Sequence, residues 1–165
     1  EKQWIGNGLT IPSGPLRENL SALKGADCIV INGKKNKNIE SKVFSENKEI
    51  KIFYANYKPQ NINEFQNKKV AAFAGIGNPE NFFDLLKDNK LNIVETIKFP
   101  DHHKYSEKEL ENLLSKIKEN NTILLTTEKD YFRIFENYRK NIKFLKIKVE
   151  IENKSQFMEE IKKII

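Results

Sequence analysis

The sequence predicts an α/β fold, a mostly parallel sheet with helices on both faces. Three observations lead there. From Val70 onward, short apolar runs alternate with stretches whose apolar residues recur at helical spacing. The first three of these runs close on a turn or cap signal built from Gly, Pro, Thr or Asp. The 165 residues are 38% hydrophobic and 10% aromatic, enough for one core, and are read as a single domain over 1–165.

Taken in order, residues 4–15 (WIGNGLTIPSGP) concentrate Gly and Pro and exclude a long helix or central strand. Residues 1–25 form a motif-bearing connecting segment, with a short helix expected over 16–23. Cys28-Ile-Val-Ile is strand-like, which makes Cys28 a buried thiol. Residues 33–48 are rich in Lys and Asn and read as a polar loop. A strand follows over 49–57 (EIKIFYANY), with Trp4, Phe53, Tyr54 and Tyr57 as core or half-buried residues.

The run 70–74 is the next strand and ends in Gly75-Ile76-Gly77. Asn78 can cap a helix with Pro79 at its first position, and Phe82, Phe83, Leu85 and Leu86 share one face. A strand over 91–99 is stopped by Pro100. Ser106 and Glu109 have capping-box spacing ahead of Leu110, Leu113, Leu114 and Ile117. Residues 122–126 form a further strand, after which Thr127 and Asp130 start a short helix. A strand over 142–149 precedes a final helix opened by Ser155 and carrying Phe157, Ile161, Ile164 and Ile165.

In a parallel sheet the loops leaving the carboxyl ends of the strands share an edge, where ligands bind. Three chemically loaded loops would meet there. Asp101-His102-His103 holds the only two histidines of the chain, and a neighbouring carboxylate can set an imidazole tautomer; the alternative is a surface turn in which Asp101 only caps. Gly75, Gly77 and Asn78 either bring backbone N–H groups to a phosphate or make a turn too tight for a side chain. Thr127-Glu128-Lys129-Asp130 offers a hydroxyl, a cation and carboxylates, or only an N-cap with a charge pair. Arg17 and Glu18 are site residues or a surface ion pair.

Composition narrows the function classes. The chain has 29 Lys and Arg against 23 Asp and Glu, net +6, which permits an anionic ligand, a phospholipid surface or nucleic acid. Nucleic acid ranks last, for want of any recognised motif. The single cysteine excludes an internal disulfide and suits a reducing compartment. No apolar run reaches the ~18–20 residues that cross a bilayer. No Cys or third His completes a metal-ligand set, so no metal site is expected. A Walker-type Gly-x-x-x-x-Gly-Lys-Ser/Thr loop does not occur in the sequence.

The order of motifs carries a resemblance. GNGLTIPSGPLRE (6–18), VING (30–33), AFAGIGNPENFF (72–83), FPDHHKY (99–105) and LLTTEKD (124–130) resemble the tetraacyldisaccharide 4'-kinases. That family implies a P-loop kinase fold, of which this chain resembles the C-terminal half. The N-terminal P-loop half, with its Walker A loop and Asp-Asp-Gly-Phe-Gln motif, is absent from the sequence. Met158 is the only methionine, and the motif order makes a piece of a longer chain the expectation.

The resemblance further implies transfer of the γ-phosphate of ATP, with Mg²⁺, to the 4'-hydroxyl of a lipid A disaccharide precursor. The place implied is the cytoplasmic face of a Gram-negative inner membrane, peripherally bound. His102 matches the family's catalytic histidine, which pairs with an aspartate of the N-terminal half. Arg17, Glu18, Asp101, Thr127, Glu128, Lys129 and Asp130 become candidate substrate or nucleotide contacts, with Gly75, Gly77 and Asn78 as a phosphate-proximal turn. Two competing readings are a non-catalytic α/β module that binds a partner protein or anionic surface, and a metal-dependent phosphoesterase using Asp101, His102 and His103.

Overall fold

The computed structural model describes residues 5–118 and 122–165, so Trp4 lies outside the described residues. In chain order the elements are β1 (Cys28–Asn32), α1 (Lys37–Glu46), β2 (Lys51–Pro59), β3 (Lys69–Ala74), α2 (Pro79–Asp88), β4 (Asn92–Lys98), α3 (Glu107–Lys118), β5 (Thr122–Thr127), α4 (Glu128–Tyr131), α5 (Glu136–Arg139), β6 (Ile142–Leu145), β7 (Ile147–Ile151) and α6 (Lys154–Ile164). They fall into two compact units, Glu1–Lys58 with Val149–Ile165, and Pro59–Lys148, where the sequence reading counts one domain. The strands accordingly make two sheets, ordered β1-β2-β7 and β4-β3-β5-β6.

In the first unit β1 and β2 pair in parallel, Val30 opposite Phe53. Residues 33–48, expected as a loop, contain α1. Asn36 caps it by accepting the N–H groups of Asn38 (3.0 Å) and Ile39 (3.4 Å). Ile39 and Val43, one turn apart, are 1% and 2% exposed and pack with Ile31, Ile50 and Tyr54. Two apolar residues suffice here because the helix covers one small sheet; the Lys and Asn around them hide the period. The short helix expected at 16–23 is a 3-10 segment at Leu20–Gly25, and Cys28 is half-buried. Phe157 of α6 packs edge-on against Phe53, ring centroids 5.1 Å apart.

The expected strand over 142–149 is two strands. At Lys146 the ladder is interrupted: its carbonyl accepts the Gln60 N–H and its N–H donates to Asn61 Oδ1, both at 2.8 Å. The chain thereby leaves one sheet before entering the other.

The second unit is the parallel α/β layer the sequence predicts. All three strand pairs are parallel, with Ala72 facing Thr96 of β4 and Leu125 of β5. Alternation along β3 sorts the core: Val70, Ala72 and Ala74 meet Phe82, Phe83 and Leu86 of α2, while Ala71 and Phe73 meet Leu110 and Leu113 of α3. Phe73 and Leu125 have no exposed surface; burying each such side chain stabilises by about 1.5–3 kcal/mol. The chain passes from β3 to β4 on one side, then returns to β5 on the other. The strand order therefore reverses beside β3, and a crevice is expected at the carboxyl ends of β3 and β5.

Candidate functional site

Three loops of the second unit meet at that reversal, and Asp130 binds them. Thr127, the last residue of β5, caps α4: its Oγ1 accepts the Asp130 N–H (3.1 Å) and donates to Asp130 Oδ2 (2.7 Å). Asp130 Oδ2 also accepts the Gly75 N–H at 3.0 Å. The Asp130 side chain is wholly buried. Arg133 Nη1 donates to the Gly75 carbonyl (3.1 Å) and to Asp130 Oδ1 (3.4 Å). Beneath them Thr126, fully buried, donates its hydroxyl to the Phe73 carbonyl at 2.8 Å. A buried carboxylate is tolerated when it is paired and hydrogen-bonded, which the three donations from Thr127, Gly75 and Arg133 accomplish.

The loop after β4 is held to the same glycine. The Phe99 N–H donates to the Ala74 carbonyl (2.9 Å), and the His102 N–H to both the Gly75 carbonyl (3.2 Å) and Asp101 Oδ1 (2.9 Å). His102 has φ of 59°, the left-handed region, at a cost of roughly 1–2 kcal/mol for a residue with a Cβ. Its side chain is 71% exposed, with Nδ1 3.0 Å from Arg133 Nη2 and Nε2 3.8 Å from Asp101 Oδ2. His102 thus joins a left-handed backbone to an exposed imidazole.

The two histidines divide their work. His103 is largely covered, stacks on Phe99 with centroids 4.7 Å apart, and places Nε2 3.1 Å from Glu109 Oε1. Glu109 in turn closes the expected capping box, accepting the N–H (2.8 Å) and hydroxyl (2.7 Å) of Ser106. The Ser106 N–H, more than the hydroxyl or His103, holds the Glu109 carboxyl below its ordinary range. Tyr105 lies under the loop, 3% exposed, and its hydroxyl has no hydrogen-bond partner within distance among the described residues. Burial, then the Asp130 charge, pushes its phenol pKa far above 10. Asp130 is thus near enough to act on the Tyr105 phenol.

The glycine turn is a packing device. A Cβ on Gly75 would sit 3.0 Å from Tyr105 Oη, 3.1 Å from His103 Cβ and 3.2 Å from the Pro100 carbonyl. One on Gly77 would sit 3.3 Å from Asp101 Oδ2. Asn78 caps α2 by accepting the Asn81 N–H. The Gly75 N–H is donated to Asp130 Oδ2.

A family model described as tetraacyldisaccharide-1-P 4'-kinase matches residues 1–165. The chain belongs to this kinase family. It is similar to the tetraacyldisaccharide 4'-kinase of Pelagibacter ubique, 39% identical over 165 residues, covering 98% of this chain and 52% of that one. The enzyme of Rickettsia akari is 41% identical over 161 residues, with 97% and 48% covered. The chain spans about half the length of the curated relatives it matches. Among solved structures, an "apo" form of LpxK from Aquifex aeolicus in complex with ATP matches with a TM-score of 0.64 and 25% identity, over 96% of this chain and 49% of that one.

Against the family motifs, the second unit gathers Gly75, Gly77, Asn78, Asp101, His102, Thr127 and Asp130 into one cluster. Glu128 and Lys129 are exposed at the start of α4. Arg17 and Glu18 belong to the first unit, where both are exposed in the segment after the Thr10 to Leu16 bridge. The residue that sequence reasoning missed is Arg133. Its only signal was its place three residues after Asp130, which reads as an ordinary surface pair. Among the described residues no group of three or more His, Cys, Asp or Glu is placed to hold a metal ion.

Proposed function

We propose that this chain supplies one wall of a kinase that transfers the γ-phosphate of ATP to the 4'-hydroxyl of a tetraacyldisaccharide 1-phosphate, a lipid A precursor. The observation that carries this reading is His102, exposed on a strained backbone at the strand-order reversal, with its ring held by Arg133 and flanked by Asp101. Phosphoryl transfer asks the protein mainly for positioning and charge neutralisation. His102 orients the sugar hydroxyl through a carboxylate on the rest of the family protein, where the resemblance also expects the P-loop. ATP brings Mg²⁺ as its usual companion, but the described residues offer no group of three or more His, Cys, Asp or Glu that fits the ion.

The proposed location is the cytoplasmic face of the inner membrane. The net charge of +6 supports attraction to an anionic surface. No described helix is long and apolar enough to cross a membrane.

The test is a complete kinase that contains this segment. His102→Ala is expected to lower kcat about 100-fold or more while leaving the KM for ATP within about 3-fold, as for loss of the group that orients the proton acceptor. An unchanged kcat would refute the role of His102. Failure of the complete protein to phosphorylate the disaccharide at all would favour a non-catalytic binding module.

A further inference from the structure

We propose that Arg133 is a positioning residue that holds His102 in the tautomer protonated on Nε2, making the exposed Nε2–H a hydrogen-bond donor rather than a proton acceptor. The argument is one of donor and acceptor inventory. A guanidinium carries only N–H donors, so the 3.0 Å contact between Arg133 Nη2 and His102 Nδ1 requires a lone pair on Nδ1. In a neutral imidazole the proton must then lie on Nε2.

The other end of the ring agrees. Asp101 Oδ2 stands 3.8 Å from Nε2, an environment that favours N–H over a lone pair. Nor is Arg133 free to turn away. Its Nη1 is tied to the Gly75 carbonyl and to Asp130, and its side chain is 21% exposed. The left-handed backbone of His102, fixed by the Gly75 carbonyl and Asp101, sets the ring against this fork. Arg133 therefore carries the rigidity of the buried Asp130 outward to an exposed imidazole.

Which acceptor the Nε2–H meets rests on the kinase reading: a carboxylate that takes the proton of the sugar hydroxyl, with His102 orienting it. In that arrangement the proton leaves the hydroxyl for the carboxylate as the new oxygen–phosphorus bond forms and the bond from the γ-phosphorus to the bridging oxygen breaks, ADP leaving with that oxygen, and His102 keeps its own proton.

Two experiments separate the tautomer from the kinase reading. In the 165-residue chain labelled with ¹⁵N-histidine, long-range ¹H–¹⁵N NMR at alkaline pH should show His102 Nδ1 as the unprotonated nitrogen and Nε2 as the protonated one. A proton on Nδ1, or an even mixture, overturns the proposal without any variant. Arg133→Met should convert the single tautomer to a mixture; Arg133→Ala, which leaves room for water beside Asp130 and removes the donor to Nδ1, serves where the methionine variant does not fold. A tautomer unchanged in the folded variant overturns the proposal as well.

In a complete kinase containing the segment, Arg133→Met should lower kcat about 10-fold or more, the size expected for one charge-assisted hydrogen bond, and cause no further loss in a His102→Ala background. An equal loss in both backgrounds marks a merely structural role and overturns the proposal. The expected NMR result with no phosphotransfer in the complete protein would sink the kinase reading and leave the assignment of Arg133 standing.

Discussion

Asp130 is the residue on which the cluster depends, and its removal tests the whole construction. Asp130→Ala leaves the buried Gly75 N–H without an acceptor and frees the Thr127 hydroxyl and Arg133 Nη1. An orphaned buried donor costs about 1–3 kcal/mol, and breaking a fully buried ion pair about 3–5 kcal/mol. Arg133 is 21% exposed, so water solvates part of its freed charge and the ion-pair cost falls below that range, to about 2 kcal/mol; with about 1 kcal/mol for the orphaned donor the total is about 3 kcal/mol. Asp130→Asn keeps the shape, but its amide NH₂ must point at the Gly75 N–H or at Arg133, both donors; about 2 kcal/mol is expected. For a chain of this size 3 kcal/mol corresponds to a Tm lowered by about 6–12 °C. Urea unfolding followed by far-UV circular dichroism, with matched m-values, gives the free energies. The neighbours Glu128→Ala and Lys129→Ala, both exposed, should stay within about 0.5 kcal/mol of the parent. If both Asp130 variants lie that close too, with the Gly75 amide resonance unmoved, the hub described here does not exist.

Further outcomes follow from the same geometry. Gly75→Ala should destabilise by about 1–3 kcal/mol through overpacking, and Tyr105→Phe should relieve part of that loss by removing the nearest atom, a coupling that a double-mutant cycle measures. Tyr105→Phe alone should be neutral or slightly stabilising in urea, since the deleted hydroxyl has no partner; a loss above about 1 kcal/mol would reveal a hydrogen bond. Because the folded phenol titrates above its ordinary 10.0, the stability tied to it is present below that pH and lost as pH rises beyond it, where the unfolded chain ionises. Alkaline unfolding should therefore shift to higher pH in Tyr105→Phe. Glu109 has the opposite sign: its folded pKa lies below the ordinary 4.5, so its contribution is present above that pH and lost as pH falls through the folded value. Glu109→Gln should flatten this acid limb of the stability curve, and an unchanged limb would discount the capping box.

How far the sequence could be read depended on how local the physics was. α2, α3 and β3 were legible because cap, period and stop signal lie within each segment: Asn78 with Pro79, Ser106 with Glu109, the run 70–74 before Gly75. α1 was not, since its two buried residues, Ile39 and Val43, sit in a stretch whose Lys and Asn content reads as solvent. The division of 142–149 into β6 and β7 was hidden for a different reason. It is made by Asn61 and Gln60, more than eighty residues earlier, and no window around Lys146 contains them. In the cluster, residue types identified His102 and the three loops. What each loop residue does depended on contacts between loops, such as Gly75 with Asp130 across 55 positions.

That contact also explains why the Thr-Glu-Lys-Asp segment combines a reactive look with a structural part. Its aspartate faces inward and its capping threonine donates to that aspartate, so these two residues bear on the proposed chemistry through Arg133, while Glu128 and Lys129 stay exposed. A loss of activity in Asp130 variants is consequently not evidence of substrate contact. The two parts can be told apart by temperature. Assayed well below its lowered Tm, a complete kinase carrying Asp130→Asn should recover most of its ATP binding, since the fold is then populated. Its kcat should remain depressed, because Arg133 has lost its anchor and His102 its single tautomer. Full recovery of kcat on cooling would show instead that Asp130 stabilises the fold and nothing more.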